Sequence, residues 1–271
     1  MKKPAYIAVL AVTCLIFFQL NITGQNYIPS RTFGEENLVQ DFLCSEVTYP
    51  PGALEKGIEG TVILEFQVTE SGLVKDLKVK QSVSPEIDAE AIRIFRMLLW
   101  EPAVKLGSPV TSIQEFSIKF DIKKYQKHCK LRGYEHTEFP YLPIDSSGIV
   151  YQSNEVDKPP YAIFQDKTMT LTKFINSNIK YPETAYRQNI SGKVGIRFVL
   201  EPQGRVSNVK ITQPVSGGCT QEAIRLLGLI KWMPGIKDNM AVRSFMNMEI
   251  NFKLPEDSDM KMFENSQMNS N

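Results

Sequence analysis

The side chains that most often perform catalysis are scarce in this chain and poorly spaced for it. Only two histidines occur among the 271 residues, His128 and His136, and Cys129 lies between them in a polar segment. Histidine and cysteine are zinc ligands, but this spacing matches no closed zinc pattern and no fourth ligand is evident. A solvated basic loop explains these residues better than a metal site does.

A nucleophile paired with a histidine base is not available elsewhere in the sequence. Cys44 and Cys219 lie in segments without histidine, and acidic neighbours such as Glu35 and Glu36 are typical of a solvated surface. No glycine-rich phosphate loop follows a strand. The 31 Lys and Arg nearly balance the 30 Asp and Glu, which gives no basic field for nucleic acid. The sequence therefore predicts no enzyme, no cofactor, no metal site and no nucleic-acid partner.

The first 24 residues are predicted to be an export signal or a membrane anchor. Lys2 and Lys3 precede an apolar run over residues 5–18, and a small residue, Gly24, stands before the expected cut. This combination is typical of a secretory signal peptide. An uncleaved anchor is the alternative, although a spanning helix needs about 20 mostly apolar residues and the second half of this segment is polar. Either way, we expect the folded part outside the cytoplasm.

The strongest signal is an internal repeat, in which one unit recurs 132 positions later without a gap. Such a repeat decides the architecture before any single motif is weighed. The identical pairs are Tyr49-Pro50 with Tyr181-Pro182, Gly60 with Gly192, Glu90-Ala91-Ile92-Arg93 with Glu222-Ala223-Ile224-Arg225, and Trp100 with Trp232, among others. The chain therefore presents the same domain twice.

Each unit has the periodicities of a two-layer α+β domain. Residues 62–68 alternate between apolar and polar, which predicts a half-buried strand, and a turn at Gly72 leads into a second strand over 73–81. Residues 84–98 carry an apolar stripe at helical spacing, and a third alternating strand follows over 113–122. The second unit repeats these elements, and a short amphipathic segment precedes each Tyr-Pro pair. We expect a three-stranded antiparallel sheet with a helix on one face, twice, in the order ββαβ after a short helix.

These patterns predict two domains joined by a polar, proline-containing linker that is semi-extended or partly packed. The tail after the second domain has no periodicity and is predicted to be disordered. The segments are 1–24, signal peptide or anchor; 38–122, first domain; 123–168, linker; 169–254, second domain; and 255–271, tail.

The order Tyr-Pro, Gly, hairpin, Glu-Ala and Trp-x-Pro resembles the TonB C-terminal domain family. In this chain the pattern consists of Tyr49, Pro50, Gly60, Trp100 and Pro102, and again of Tyr181, Pro182, Gly192, Trp232 and Pro234. The resemblance implies mainly architectural roles for these residues: the glycines let the chain turn into the first strand, and the tryptophans cover the core beside the end of the helix.

The resemblance also implies a binding module in the periplasm or cell envelope of a Gram-negative bacterium. TonB-type domains receive a short extended peptide of an outer-membrane receptor along a free strand edge, in support of TonB-dependent transport. Backbone hydrogen bonds supply affinity in such strand addition, and alternate side chains supply selectivity. The candidate edge is the last strand of each unit, with Ile113, Phe116, Ile118 and Phe120 in the first and Phe245, Met246, Asn247, Met248, Glu249, Ile250, Asn251 and Phe252 in the second.

Other interpretations stay open. The same strands are ordinary sheet members if the linker blocks their edges, and they are dimer contacts if the protein is a periplasmic scaffold without energy transduction. A transducer would also need an anchor with Ser and His and a long proline-rich spacer, whereas no His precedes Arg31 and fewer than ten residues separate Ser30 from the first unit. A periplasmic adaptor therefore fits better than an autonomous transducer. The second unit keeps the family pattern better before Tyr181, so we expect it to be the functional copy.

Overall fold

The structure, a computed structural model, describes residues 26–132 and 142–254. The predicted signal peptide or anchor and the predicted tail lie outside the described residues. Within the described ranges, no helix has the length and apolar character needed to cross a membrane.

The elements before residue 133 are β1 (Tyr27–Ile28), β2 (Arg31–Thr32), α1 (Glu36–Glu46), α2 (Pro51–Glu55), β3 (Gly60–Val68), β4 (Val74–Gln81), α3 (Pro85–Phe95), β5 (Trp100–Glu101), β6 (Ala103–Lys105), β7 (Ser108–Val110), β8 (Ser112–Phe120) and α4 (Ile122–Arg132). Those after residue 141 are β9 (Val150–Tyr151), β10 (Tyr161–Ile163), α5 (Leu171–Asn178), α6 (Glu183–Arg187), β11 (Gly192–Leu200), β12 (Val206–Gln213), α7 (Cys219–Leu229), β13 (Lys231–Met233), β14 (Gly235–Lys237) and β15 (Met240–Phe252). The predicted α+β class is confirmed.

Contacts divide the described residues into two compact units. The first consists of residues 26–32, 48–95 and 99–125, and the second of 33–47, 96–98 and the described residues from 126 onward. This division places α1 and the predicted linker from residue 126 onward with the second unit. The linker also contains regular structure that its composition did not indicate, namely α4, β9 and β10.

The first unit is built on the antiparallel sheet β4-β3-β8. Its ladder runs from Gly60 opposite Phe120 to Val68 opposite Ser112. The alternating apolar residues of β3 face α3, whose Ile87 and Ile94 are fully buried. An aromatic cluster fills this core, with the ring centroid of Phe66 4.6 Å from those of Phe95 and Trp100. The predicted three strands and one helix are thus present.

The second unit repeats this register 132 positions later, with Gly192 opposite Phe252 and Leu200 opposite Ser244. Its sheet is larger than the three strands predicted, because β14 pairs with residues 240–242 and β9 pairs in parallel with residues 243–244. The core consists of Ile175, Ala185, Val194, Ile196, Phe198, Leu200, Cys219, Ala223, Leu226, Leu227, Ile230, Trp232, Met248, Ile250 and Phe252.

Each unit holds its Tyr-Pro segment by the same two hydrogen bonds. The Tyr49 hydroxyl donates to the Ile58 carbonyl, and the Tyr181 hydroxyl to that of Ile190, each at 2.5 Å. The backbone N–H of Thr48 donates to Glu90 at 2.7 Å. These bonds fix the entry of the chain into the short helix that follows each Tyr-Pro pair, α2 or α6, which the sequence patterns did not predict.

The Glu and Arg of the Glu-Ala-Ile-Arg motif are spaced like an ordinary ion pair on a helix surface. In the structure, however, the glutamate of each copy is buried. Only 8% of Glu90 and 9% of Glu222 is exposed. Glu222 accepts hydrogen bonds from the backbone N–H of Lys180 at 2.6 Å and from Arg225 at 2.7 Å. Burial raises the pKa of the Glu222 carboxyl, but the bonds from Arg225 and Lys180 outweigh it, so the pKa lies below its usual value.

We expect Glu222→Ala to lower the free energy of unfolding by about 1.5–3 kcal/mol, because a hydrogen-bonded charge is lost and a backbone donor is left unsatisfied. Since the folded pKa is depressed, the contribution of the carboxylate is fully present above the unfolded pKa of about 4.3 and disappears as the pH falls through the folded pKa. Urea denaturation at several pH values measures both effects.

The matched control for Glu222 is Glu183→Ala in α6. Glu183 also pairs with an arginine of its own helix, Arg187, but the two side chains are 58% and 75% exposed. Exposed pairs of this kind contribute at most about 0.5 kcal/mol. Equal losses for the two variants would contradict the anchoring role of Glu222.

Candidate strand-edge site

The last strand of the first unit offers a backbone edge over its whole length. Among residues 26–132 and 142–254, β8 forms a ladder only with β3. Its second edge therefore carries N–H and C=O groups without a ladder partner in that part of the chain. Such a row of groups is a template for pairing with another extended segment.

The last strand of the second unit offers a shorter edge. Residues 240–244 of β15 pair with β14 and β9, whereas residues 245–252 pair with β11 alone among the described strands. The linker strand β9 thus covers the beginning of the edge, and no other described strand covers the rest. Strand β9 is itself an extended segment added in parallel to β15.

The predicted edge residues divide between two faces of the sheet. Ile118, Phe120, Met248, Ile250 and Phe252 are buried in the two cores. They present their backbone at the edge, but their side chains are not accessible to a bound peptide. Phe116 and Met246 lie half-buried on the same faces.

The opposite face of β15 is the accessible one, with Asn247, Glu249 and Asn251 exposed. Phe245 stands at the start of this row, where the guanidinium of Arg197 lies 4.4 Å from its ring centroid. The ring of Phe33 is 5.9 Å away. The accessible face of this edge therefore carries amides and one carboxylate, with an aromatic–cation contact at one end.

The corresponding face of the first unit carries alternating charges. Lys80 of β4 donates to Glu115 of β8, and Lys78 donates to Glu65 of β3 at 2.7 Å. The hydrogen bond and the charge of Glu115 raise the pKa of Lys80, and the bond from Lys78 lowers that of Glu65. Ile113 is 65% exposed beside this charged row, so the two edges differ in chemistry although their backbones match.

A buried ion pair supports the start of β15 and was not predicted from the sequence. Arg243 donates to Glu201 through Nε at 2.9 Å and Nη2 at 2.8 Å, with 6% and 2% of the two residues exposed. The same guanidinium donates to the carbonyls of Gly148 at 3.3 Å and Met97 at 2.7 Å. Ser207 donates to the Glu201 carboxylate. The pair therefore links β15 to the linker segment just before β9.

The aromatic residues of the family motif pack against the buried faces of the two edge strands, with the ring centroid of Trp100 5.6 Å from that of Phe116 and that of Tyr181 6.0 Å from that of Phe252. Pro50 and Pro182 precede the first turns of α2 and α6. At Gly60, an added Cβ would lie 2.7 Å from Val83, so a larger side chain would force a shift. Trp232 is 2% exposed and packs on Phe198, with ring centroids 5.6 Å apart.

Within the described ranges, no group of three or more His, Cys, Asp and Glu residues is placed to hold a metal ion. His128 lies in α4 next to Cys129, which is exposed, and His136 lies outside the described residues. Cys219 is buried in the core, and burial raises the pKa of its thiol.

Comparison with known proteins agrees with the internal repeat. A family model described as the Gram-negative bacterial TonB protein C-terminal matches residues 45–122 and 177–254, more than half of the chain. The NMR solution structure of a Helicobacter pylori TonB C-terminal domain is similar at 22% sequence identity and a TM-score of 0.24, over 31% of this chain and 78% of that one. No curated protein matches the chain significantly. The two family matches lie 132 positions apart, as the repeat does.

Proposed function

This chain belongs to the TonB C-terminal family, and on that premise we propose that it binds extended peptide segments of envelope proteins by adding them as strands to β8 and β15. The proposed partners are outer-membrane TonB-dependent receptors, and the protein would work in the envelope of a Gram-negative bacterium in support of transport. The proposal includes no enzymatic activity.

The observation that carries the proposal is the pair of strand edges without a ladder partner in the described part of the chain, β8 and residues 245–252 of β15. Long edges of this kind invite uncontrolled pairing unless they are covered or used. The parallel pairing of β9 with β15 supports a binding role for this edge, because it shows that β15 accepts an extended segment there. A peptide that continues the line of β9 would run parallel to β15.

The side chains beside the edge of β15 indicate the peptide that it would accept. Alternate residues of an added strand would lie next to Asn247, Glu249 and Asn251. Glu249 is paired with Lys193 at 3.4 Å, and both side chains are more than half exposed. Polar or basic residues at alternate positions fit this row, while the backbone supplies the affinity.

We expect peptides from the N-terminal segments of outer-membrane receptors to bind the full chain. Binding is expected to require the backbone N–H of every second peptide residue. In a scan that methylates one peptide nitrogen at a time, methylation of those that face the edge abolishes binding. The intervening positions tolerate it, because only every second N–H of a strand points to a given neighbour. Fluorescence anisotropy measures the dissociation constants. Amide exchange locates the protected residues on β8 or β15.

The protein-side variant is Glu249→Lys, matched by Glu183→Lys at an exposed site on α6. We expect only the first to weaken the binding of basic peptides. The absence of binding by any receptor segment would contradict the proposal. A concentration-dependent dimer that protects the same amides without peptide would instead favour the scaffold alternative.

A further inference from the structure

The exposed apolar side chains of the first unit lie in one region of it. Within residues 26–32, 48–95 and 99–125, the large hydrophobic residues that remain exposed are Tyr27, Ile28, Leu73, Leu106 and Ile113, at 50–70% of their surface. Single exposed apolar residues are ordinary, but several together mark an interaction surface. We call these five residues the apolar end.

The strand connections place the five residues toward one end of the first unit. Leu73 closes the turn between β3 and β4, where its carbonyl accepts from Thr69 at 2.9 Å, and Ile113 lies opposite Gln67 near the same end of β3. The β6–β7 hairpin precedes β8 at this end. Its tip is Leu106, and Tyr27 and Ile28 of β1 pair along its outer side.

Leu106 occupies a position that a leucine rarely takes. It has φ of 53° and is followed by Gly107 at 81°, the two positive values of a tight hairpin turn that favours Asn, Asp and Gly. A branched side chain is disfavoured in this conformation, and here it is also 70% exposed. Neither the backbone nor solvation explains a leucine at the tip.

The second unit shows what the same fold carries when this surface is polar. The equivalent hairpin turn has Asp238 and Asn239, with φ of 50° and 61°. The equivalent of Leu73 is Arg205, which donates to Glu46. In the first unit Ile28 pairs with Val104. The equivalent of Val104 is Ile236, and its partner is Lys158. Charged residues thus replace apolar ones at three equivalent positions, while the equivalent of Ile113 is Phe245, which is half-buried, so the exposed apolar end is specific to the first unit.

The sequence before the first unit indicates what covers the apolar end. The Asn26 carbonyl accepts from the Leu106 N–H at 2.8 Å, so residues 1–25 join the folded part at the hairpin tip. Those residues include the apolar run 5–18, and this inference rests on the alternative in which that run is kept as an uncleaved anchor. The residues between this run and Asn26 reach at most about 30 Å when extended, which keeps the tip close to any bilayer that receives the run.

We propose that the apolar end of the first unit docks on a phospholipid bilayer surface. Leu106 and Ile28 enter the boundary between headgroups and acyl chains, and Tyr27 occupies the interface that aromatic residues with a polar tip prefer. Lys105 extends its ammonium toward the phosphates. The exposed Glu70 and Asp76 at the same end balance the charges of Lys75 and Lys105, so apolar contact rather than anionic lipid provides the binding. This inference stands apart from peptide binding at the strand edges.

Photo-crosslinking tests the proposal on the full chain in vesicles of phosphatidylethanolamine and phosphatidylglycerol. We expect Leu106→benzoylphenylalanine and Tyr27→benzoylphenylalanine to form phospholipid adducts, which mass spectrometry identifies. Asp238→benzoylphenylalanine, at the equivalent turn of the second unit, forms none. The absence of lipid adducts at residue 106, or adducts to a second copy of the chain instead, would overturn the proposal.

A second set of variants keeps the fold and removes the apolar contacts. Leu73→Arg with Leu106→Asp installs the residues that the second unit carries at the same turns, and Asp is better suited to the turn than Leu. We expect the pair to lower the lipid-adduct yield of the residue-27 probe at least fivefold, with an unchanged circular dichroism spectrum. Leu229→Asp, at an exposed leucine of α7, is the matched control and leaves the yield unchanged. Equal yields with and without the paired substitutions would refute docking through this end.

Discussion

Replacing Glu201 by alanine is expected to lower the free energy of unfolding of the second unit by about 3–5 kcal/mol, the cost of removing one partner from a buried ion pair. The Arg243 guanidinium would keep its carbonyl contacts with Met97 and Gly148 but lose both bonds to the carboxylate. An uncompensated charge would then remain in a site that is 6% exposed. We expect the loss to loosen the beginning of β15 and with it the linker segment that leads to β9.

The chain has two tryptophans, one in each repeat, so Trp232 fluorescence in a shared Trp100→Phe background reports urea unfolding of the second unit. Glu249→Ala is the matched control, because its pair with Lys193 is exposed and contributes about 0–1 kcal/mol. Glu201→Leu combined with Arg243→Met removes both charges and is expected to cost less than Glu201→Ala alone. A double variant as unstable as the single one would show that the charge left behind is not the cause.

Patterns within one unit predicted the layers of this fold because strand and helix periods are local. The alternation over residues 62–68 and the apolar stripe over 84–98 correctly indicated β3 and α3. The repeat then transferred both to β11 and α7. What the patterns missed depends on partners far apart in sequence. In the sequence, Glu222 has only the spacing of an i,i+3 surface pair. The structure shows that it also accepts a hydrogen bond from the backbone N–H of Lys180, 42 positions earlier.

The sequence predicts that the candidate site is a strand, but it does not predict which parts of the strand edge are covered by neighbours. Alternation in β15 gives the strand and its two faces, yet it cannot tell which neighbour covers which edge. That depends on β9, two residues of a linker whose composition resembles an irregular segment. The pair of Arg243 and Glu201 was missed for the same reason, since a charged residue in a strand usually indicates a solvated face. Tertiary contacts decide both questions.

Trp232→Ala is expected to cost about 3–5 kcal/mol, the usual loss when a large aromatic side chain is removed from a core. Trp232 is 2% exposed, and its ring contacts Phe198, which is fully buried. Its indole N–H is buried without a hydrogen-bond partner among the described residues, and the same holds for Trp100 in the first repeat. The residue therefore stabilises the fold through packing, and its buried N–H opposes that contribution.

Trp232→Phe separates packing from hydrogen bonding. It keeps an aromatic ring against Phe198 and removes a buried donor whose lack of a partner is itself unfavourable. We expect it to cost clearly less than Trp232→Ala in urea denaturation followed by circular dichroism, and to leave the peptide dissociation constant unchanged. A phenylalanine variant as unstable as the alanine variant would mean that the N–H is used. Loss of peptide binding with full stability would assign Trp232 to recognition and remove it from the architectural part of the family motif.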